Sequence, residues 1–165
     1  MSLIIKNVSK SFAGAYDESG ITHALGNISF SVEKGEFISI VGPSGCGKST
    51  ILRLVAGLLQ PTTGSITLNG NEIKSTGTER GMAFQKPTLF PWLTVEKNIN
   101  FGLRMRHQTA ELENKTNHML KLAGLYEFKN AYPHQLSGGM AQRVALVRTM
   151  INEPEVFLLD EPLGA

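Results

Sequence analysis

One stretch of the chain carries a strong chemical signal. Gly42-Pro43-Ser44-Gly45-Cys46-Gly47-Lys48-Ser49-Thr50 fits the spacing G-x-x-x-x-G-K-[ST] of a phosphate-binding loop. A nucleoside triphosphate concentrates several negative charges and needs many donors at short range. Gly42, Gly45 and Gly47 let the backbone turn tightly, so that successive N–H groups face one anion. A helix beginning near Lys48 adds the positive end of its dipole. The Lys48 ammonium suits the β- and γ-phosphates, and the Ser49 hydroxyl suits Mg²⁺. Cys46 offers its backbone N–H. Its place near a helix N-terminus also predicts slow reaction with thiol reagents.

Two acids form the second signal. Asp160 and Glu161 close the apolar run Val156-Phe157-Leu158-Leu159. In parallel α/β sheets, ligands bind beyond the carboxyl ends of the strands. Neighbouring side chains there point in different directions, so the two carboxylates can divide the labour. Asp160 is expected to support the Mg²⁺ shell, and Glu161 to orient or deprotonate an attacking water. Alone, each stretch could be a glycine-rich or acidic turn. A buried strand before the loop, an apolar helix after it and the acid pair downstream favour the chemical reading.

The elements that must hold these groups follow from patterning. Leu3–Ser9 and Ile28–Val32 read as strands. Glu36–Val41 is a short apolar run expected to be a strand buried on both faces. Lys48–Leu59 has helical spacing in Ile51, Leu52, Val55, Leu58 and Leu59, with Pro61 and Gly64 beyond it. Ser65–Leu68 reads as a strand followed by the turn signal Asn69-Gly70, and Met82–Phe84 as another strand. From Thr94 to about Leu125 the pattern is helical. Leu112, Thr116, Met119, Leu120 and Ala123 share one face. Ser137 suits an N-cap for a helix carrying Ala141, Val144, Ala145, Val147 and Met150, which Pro154 ends. This order predicts an α/β nucleotide-binding core, 1–91 and 136–165, with a helical subdomain inserted at 92–135.

Bulk properties limit the alternatives. The 165 residues suit one domain, and 41% hydrophobic content is enough for a core. A net charge of +2 gives no argument for a nucleic-acid partner, and none is expected. A single cysteine makes no internal disulfide. The four histidines lack metal-ligand spacing. The longest apolar stretch, Ile51–Leu59, is broken by Arg53 and is far short of the roughly 20 residues of a membrane span.

A third motif narrows the family. Leu136-Ser137-Gly138-Gly139-Met140 lies upstream of the Asp160 strand, within Tyr132-Pro-His-Gln-Leu-Ser-Gly-Gly-Met-Ala-Gln-Arg143. It resembles the LSGGQ signature of ABC ATPases, with Met140 where glutamine is usual. The resemblance implies that Ser137, Gly138 and Gly139 reach across a homodimer to the γ-phosphate on the partner's loop. Gln85 resembles the family's Q-loop glutamine, whose amide oxygen would reach Mg²⁺ and water. The segment after it would meet the transmembrane permease subunits. Phe12 resembles the aromatic that stacks on adenine, with Tyr16 as a nearby alternative. His134 is expected to shape the approach to Ser137. The cofactors implied are ATP and Mg²⁺.

Leu89-Phe-Pro-Trp92-Leu-Thr-Val-Glu-Lys-Asn98 and Met140 are similar to the importers for nitrate, alkanesulfonates and taurine. Trp92 reads equally as a half-buried packing aromatic. The resemblance implies an energy-coupling ATPase at the cytoplasmic face of the cell membrane. It would be held there by its permease and served indirectly by a periplasmic or lipid-anchored solute-binding protein. It covers essentially the whole chain, which stops at Leu163-Gly164-Ala165, before the D-loop aspartate and switch histidine of the family. The sheet is therefore expected to be incomplete at the C-terminus, and ATP turnover by this piece to be poor or absent. The competing expectations are a soluble, non-transport ABC-type ATPase and a nucleotide-binding fragment without turnover.

Overall fold

A computed structural model describes residues 2–13, 20–108 and 110–161. It divides into two compact units, 1–77 and 78–165.

The first unit is built on an antiparallel sheet. Strands β1 (Ser2–Ala13) and β2 (Ile21–Glu33) are longer than their apolar cores suggested. β3 (Thr63–Leu68) and the short β4 (Asn71–Glu72) complete the order β2-β1-β3-β4. Leu3 lies opposite both Val32 and Leu68, so the apolar alternation of β1 is matched on both sides. Asn69 (φ 52°) and Gly70 (φ 81°) form the tight β3–β4 turn. Positive φ at both positions is what Asn-Gly supplies. Leu3, Ile5, Val8, Leu25 and Ile66 are buried, as are Ile51, Leu54 and Val55 of helix α1 (Lys48–Val55).

Two local expectations change in this unit. Helix α1 ends at Val55 rather than Leu59. Gly57 has φ 76°, and a Cβ there would lie 2.1 Å from the Ser75 carbonyl oxygen. The chain turns away at this glycine and leaves Leu58 exposed. The larger correction concerns residues 36–41. They form no strand, and Phe37 is 85% and Val41 89% exposed. An apolar run becomes a buried strand only against hydrogen-bonding neighbours. Among the described residues, none is paired with it.

The second unit places a parallel strand pair beside helices. β5 (Arg80–Ala83) pairs with β6 (Val156–Leu159), with Arg80 opposite Val156 and Ala83 opposite Leu159. The helical stretch after Thr94 resolves into α2 (Val95–Met105) and α3 (Leu112–Leu122). Thr94 caps α2 by accepting from the Lys97 N–H at 3.3 Å. Then comes α4 (Gly138–Met150). Val95, Ile99, Leu103, Leu112, Leu120, Leu125, Val144, Val147 and Ile151 form one core. The expected face of α3 is buried at Leu112, Thr116 and Leu120. Among the described residues, no helix is long and apolar enough to cross a membrane.

Candidate nucleotide site

The candidate groups are divided between the two units. In the first unit, residues 42–47 form an exposed loop that runs directly into α1. Gly45 has φ 81° and Gly47, the N-cap, φ 97°. A Cβ at Gly47 would lie 2.5 Å from Leu25 Cδ2 and 2.6 Å from the Ala24 carbonyl oxygen. Glycine is thus required at 47 twice, by its backbone angle and by its approach to β2. A Cβ at Gly42 would meet Cys46 Sγ at 2.7 Å.

The Lys48 side chain folds back over this loop. Its Nζ donates to the carbonyl oxygens of Gly42 (2.9 Å) and Pro43 (2.8 Å). The first turn of α1 contains no acidic residue. First-turn amides have no acceptor within their own helix, so Lys48, Ser49 and Thr50 open an electropositive helix end. Pro43 also accepts from the Cys46 N–H at 3.4 Å, which closes the turn around Ser44 and Gly45. A compact anion is the ligand this donor-rich turn suits. Phe12 lies at the far end of β1, opposite Thr22, and is 37% exposed. Lys10 Nζ sits 5.1 Å from its ring centroid, so one aromatic face carries a cation. Tyr16 lies outside the described residues.

In the second unit, Asp160 is 7% exposed at the end of β6, and its N–H donates to the Ala83 carbonyl oxygen at 3.0 Å. Glu161 is exposed, with a left-handed φ of 47°. That conformation is uncommon outside glycine and carries strain that clusters at functional positions. The parallel register brings the carboxyl ends of β5 and β6 side by side. Gln85 and Glu161, 76 residues apart, meet there: Gln85 Nε2 donates to Glu161 Oε2 at 2.7 Å. This commits the amide nitrogen and leaves the amide oxygen as an acceptor for a cation or water.

The signature segment opens α4. Ser137 Oγ accepts from the Met140 N–H at 3.3 Å, as an N-cap should. Ser137, Gly138 and Gly139 are exposed. A Cβ at Gly138 or Gly139 would meet nothing within 4 Å. Met140 packs partly against the core of this unit instead. His134 stacks on Tyr132 with ring centroids 5.9 Å apart. Trp92 is 70% exposed, more than a half-buried packing residue, and touches Phe90 at a centroid distance of 5.5 Å.

Sequence reasoning missed the residues that hold these loops. Asn98 is fully buried on α2. Its Nδ2 donates to the carbonyls of Phe90, Leu93 and Thr94, and its Oδ1 accepts from the Phe90 N–H at 2.8 Å. It therefore ties down the stretch after Gln85. Gln142, buried on α4, donates to the Phe84 carbonyl at 3.1 Å, one residue before Gln85. Arg148 donates to the Thr88 carbonyl at 2.8 Å and to its hydroxyl at 3.1 Å. The available signal was a polar amide on an otherwise apolar helix face.

Residues 25–164 match the family model described as ABC transporter. The taurine import ATP-binding protein of Pelagibacter ubique (strain HTCC1062) is 49% identical over 99% of this chain and 61% of its own length. The nitrate import ATP-binding protein of Synechocystis sp. (strain ATCC 27184 / PCC 6803 / Kazusa) is 45% identical over 100% of this chain and 61% of its own. The aliphatic sulfonates import ATP-binding protein of Bacillus anthracis is 42% identical, with coverages of 100% and 64%. The chain thus spans about three fifths of the length of these curated relatives. Among solved structures, the ATP-binding cassette MJ0796, a dimer in a post-hydrolysis state bound to ADP and Pi, superposes with a TM-score of 0.87. It is 34% identical over 98% of this chain and 74% of that one. The α/β fold is that of an ABC ATPase cassette, and the chain belongs to the ABC transporter family.

Proposed function

We propose that this chain is the nucleotide-gripping part of an ATP-hydrolysing subunit that powers an importer for nitrate, sulfonates or taurine-like solutes. The observation that carries the reading is the glycine-bent loop at 42–47, with the Lys48 ammonium folded over it and α1 starting behind it. The names of the relatives supply the solute class.

In this reading the loop amides and Lys48 hold the phosphates, and Phe12 stacks on adenine through the face that Lys10 leaves open. The Ser49 hydroxyl, the Gln85 amide oxygen and the Asp160 carboxylate would hold Mg²⁺. These are hard oxygen donors of the kind Mg²⁺ prefers, and the Gln85–Glu161 bond leaves the Gln85 oxygen to serve. Bound there, the ion would neutralise phosphate charge. Glu161 positions a water and takes its proton as the water oxygen bonds to the γ-phosphorus. The bond from that phosphorus to the β–γ bridging oxygen breaks, and ADP and phosphate leave. Ser137, Gly138 and Gly139 present a hydroxyl and amides to the γ-phosphate of a second copy. The open space around both glycines supports this, because nothing among the described residues requires them.

Residues 92–135 serve as the helical subdomain of a core formed by 1–91 and 136–165. The subunit works at the cytoplasmic face of the membrane, bound to permease subunits, with a solute-binding protein acting indirectly.

The test separates binding from turnover. In a full-length protein containing this chain, Glu161→Gln should lower single-turnover ATP hydrolysis by about a thousandfold while nucleotide affinity holds. Lys48→Ala should weaken the binding of a fluorescent ATP analogue by tenfold or more, roughly one lost charge-assisted contact. Unchanged affinity in Lys48→Ala would refute the nucleotide assignment.

A further inference from the structure

Where β5 ends, three consecutive residues are each tied to a different group. The Ala83 carbonyl accepts from the Asp160 N–H at 3.0 Å, just past the β5–β6 ladder. Gln85 Nε2 donates to Glu161 Oε2 at 2.7 Å. Between them, the Phe84 carbonyl lies beyond the strand and takes its donor from α4: Gln142 Nε2, at 3.1 Å. Ala83 and Gln85 thus meet the acid pair directly, whereas Phe84 meets the helix that begins at the signature segment.

Gln142 is 6% exposed, on a helix that also buries Val144 and Ala145. An apolar side chain would fill that place with less loss of hydration than an amide, whose desolvation is offset only by hydrogen bonding. The next residue, Arg143, donates to the Ala123 carbonyl at the end of α3, at 2.6 Å. Two adjacent residues therefore fix α4 against both α3 and β5. Further along the helix, the Thr149 hydroxyl bonds to its own Ala145 carbonyl at 3.0 Å and reaches the Met82 carbonyl only at 3.5 Å. Gln142 is the firmer link to the end of β5. It lies roughly one and a half turns beyond Ser137, which caps the same helix. Over so short a span a helix moves as one body, so a displacement of Ser137 is felt at Phe84. The Phe84 carbonyl and the Gln85 N–H belong to one planar peptide group, so holding the first orients the second.

We propose that Gln142 is a positioning residue for hydrolysis. It holds the peptide group between Phe84 and Gln85 where the Gln85 amide reaches Glu161, and it acts through Gln85 rather than on the reacting atoms. The inference rests on the proposed function, in which Glu161 positions the attacking water and Ser137 faces the nucleotide on a second copy. Because α4 starts at that contact, the approach of the second copy and the placement of the Gln85–Glu161 pair share one rigid segment. Gln142 joins that segment to the pair, so it governs the rate of hydrolysis and leaves nucleotide binding alone.

The test uses a full-length protein containing this chain. Gln142→Met keeps the length of the side chain and removes its donor. The kcat for ATP hydrolysis should fall about tenfold, the effect of one lost hydrogen bond, with KM, nucleotide affinity and ATP-dependent pairing unchanged. In a Gln85→Ala background the same substitution should add nothing, because the residue it acts through is already gone. If circular dichroism shows that Gln142→Met is misfolded, Gln142→Asn serves instead: its amide is one methylene short of the Phe84 carbonyl, and it should give the same split. The inference is overturned if kcat is unchanged in the folded variant, if affinity or pairing falls with it, or if the loss persists undiminished in Gln85→Ala. Glu161→Gln, measured alongside, keeps the two readings apart. Hydrolysis that survives Glu161→Gln removes the proposed function and this inference together. Hydrolysis lost in Glu161→Gln but kept in Gln142→Met removes this inference alone.

Discussion

The loop at 42–50 and the segment at 137–140 look alike: each sets glycines and a hydroxyl residue at the start of a helix. Their glycines have different physical causes. Gly47 sits at φ 97° against Leu25 and Ala24, so its own surroundings forbid any side chain. Gly138 and Gly139 begin a regular helix, and added Cβ atoms would stand in open space. Glycine is a poor choice in a helix, and nothing among the described residues offsets it. The first loop is built by its glycines. The second is not built by its glycines, which is what the proposed contact with a second copy requires.

The two regions should therefore respond to the same substitution with opposite signs. Gly47→Ala should give the largest change, a loss of about 2 kcal/mol or more in chemical denaturation, because left-handed strain and steric overlap act together. A neutral result would mean that the α1 N-terminus does not sit as described. Ser137→Ala should cost about 1 kcal/mol by removing the cap on α4. In a full-length protein, ATP-dependent pairing of two copies should weaken alongside it. The smallest effect is expected from Gly139→Ala, a gain of about 0.5 kcal/mol from better helix propensity. That variant should still lose ATP-dependent pairing, read by light scattering. Greater stability with intact pairing would erase the distinction between the two loops.

Much of this was readable from local sequence. The G-x-x-x-x-G-K-S run, the Asn69-Gly70 turn and the Ser137 cap each depend on neighbouring residues, and each appears where its residues stand. The start of α1 at Lys48 follows from the same local chemistry. The run at 36–41 shows the limit. Its composition fits a buried strand, but strands are completed by partners distant in sequence, and composition does not supply them. Asn98 and Gln142 were overlooked for a related reason. A buried amide on a helix is explained only by the carbonyls it reaches, here at Phe90, Leu93, Thr94 and Phe84.

By itself, the sequence determined the identity and spacing of the donors proposed to bind phosphate, the acid pair after an apolar strand, and the signature that marks the family. These are properties of short segments, fixed by side-chain chemistry and backbone freedom. Only the tertiary structure decided that Gln85 donates to Glu161 and that Gln142 meets the Phe84 carbonyl. Those meetings come from the parallel register of β5 with β6 and from the packing of helices around that pair. Such long-range pairing is set by the whole fold and leaves no periodic trace along the chain.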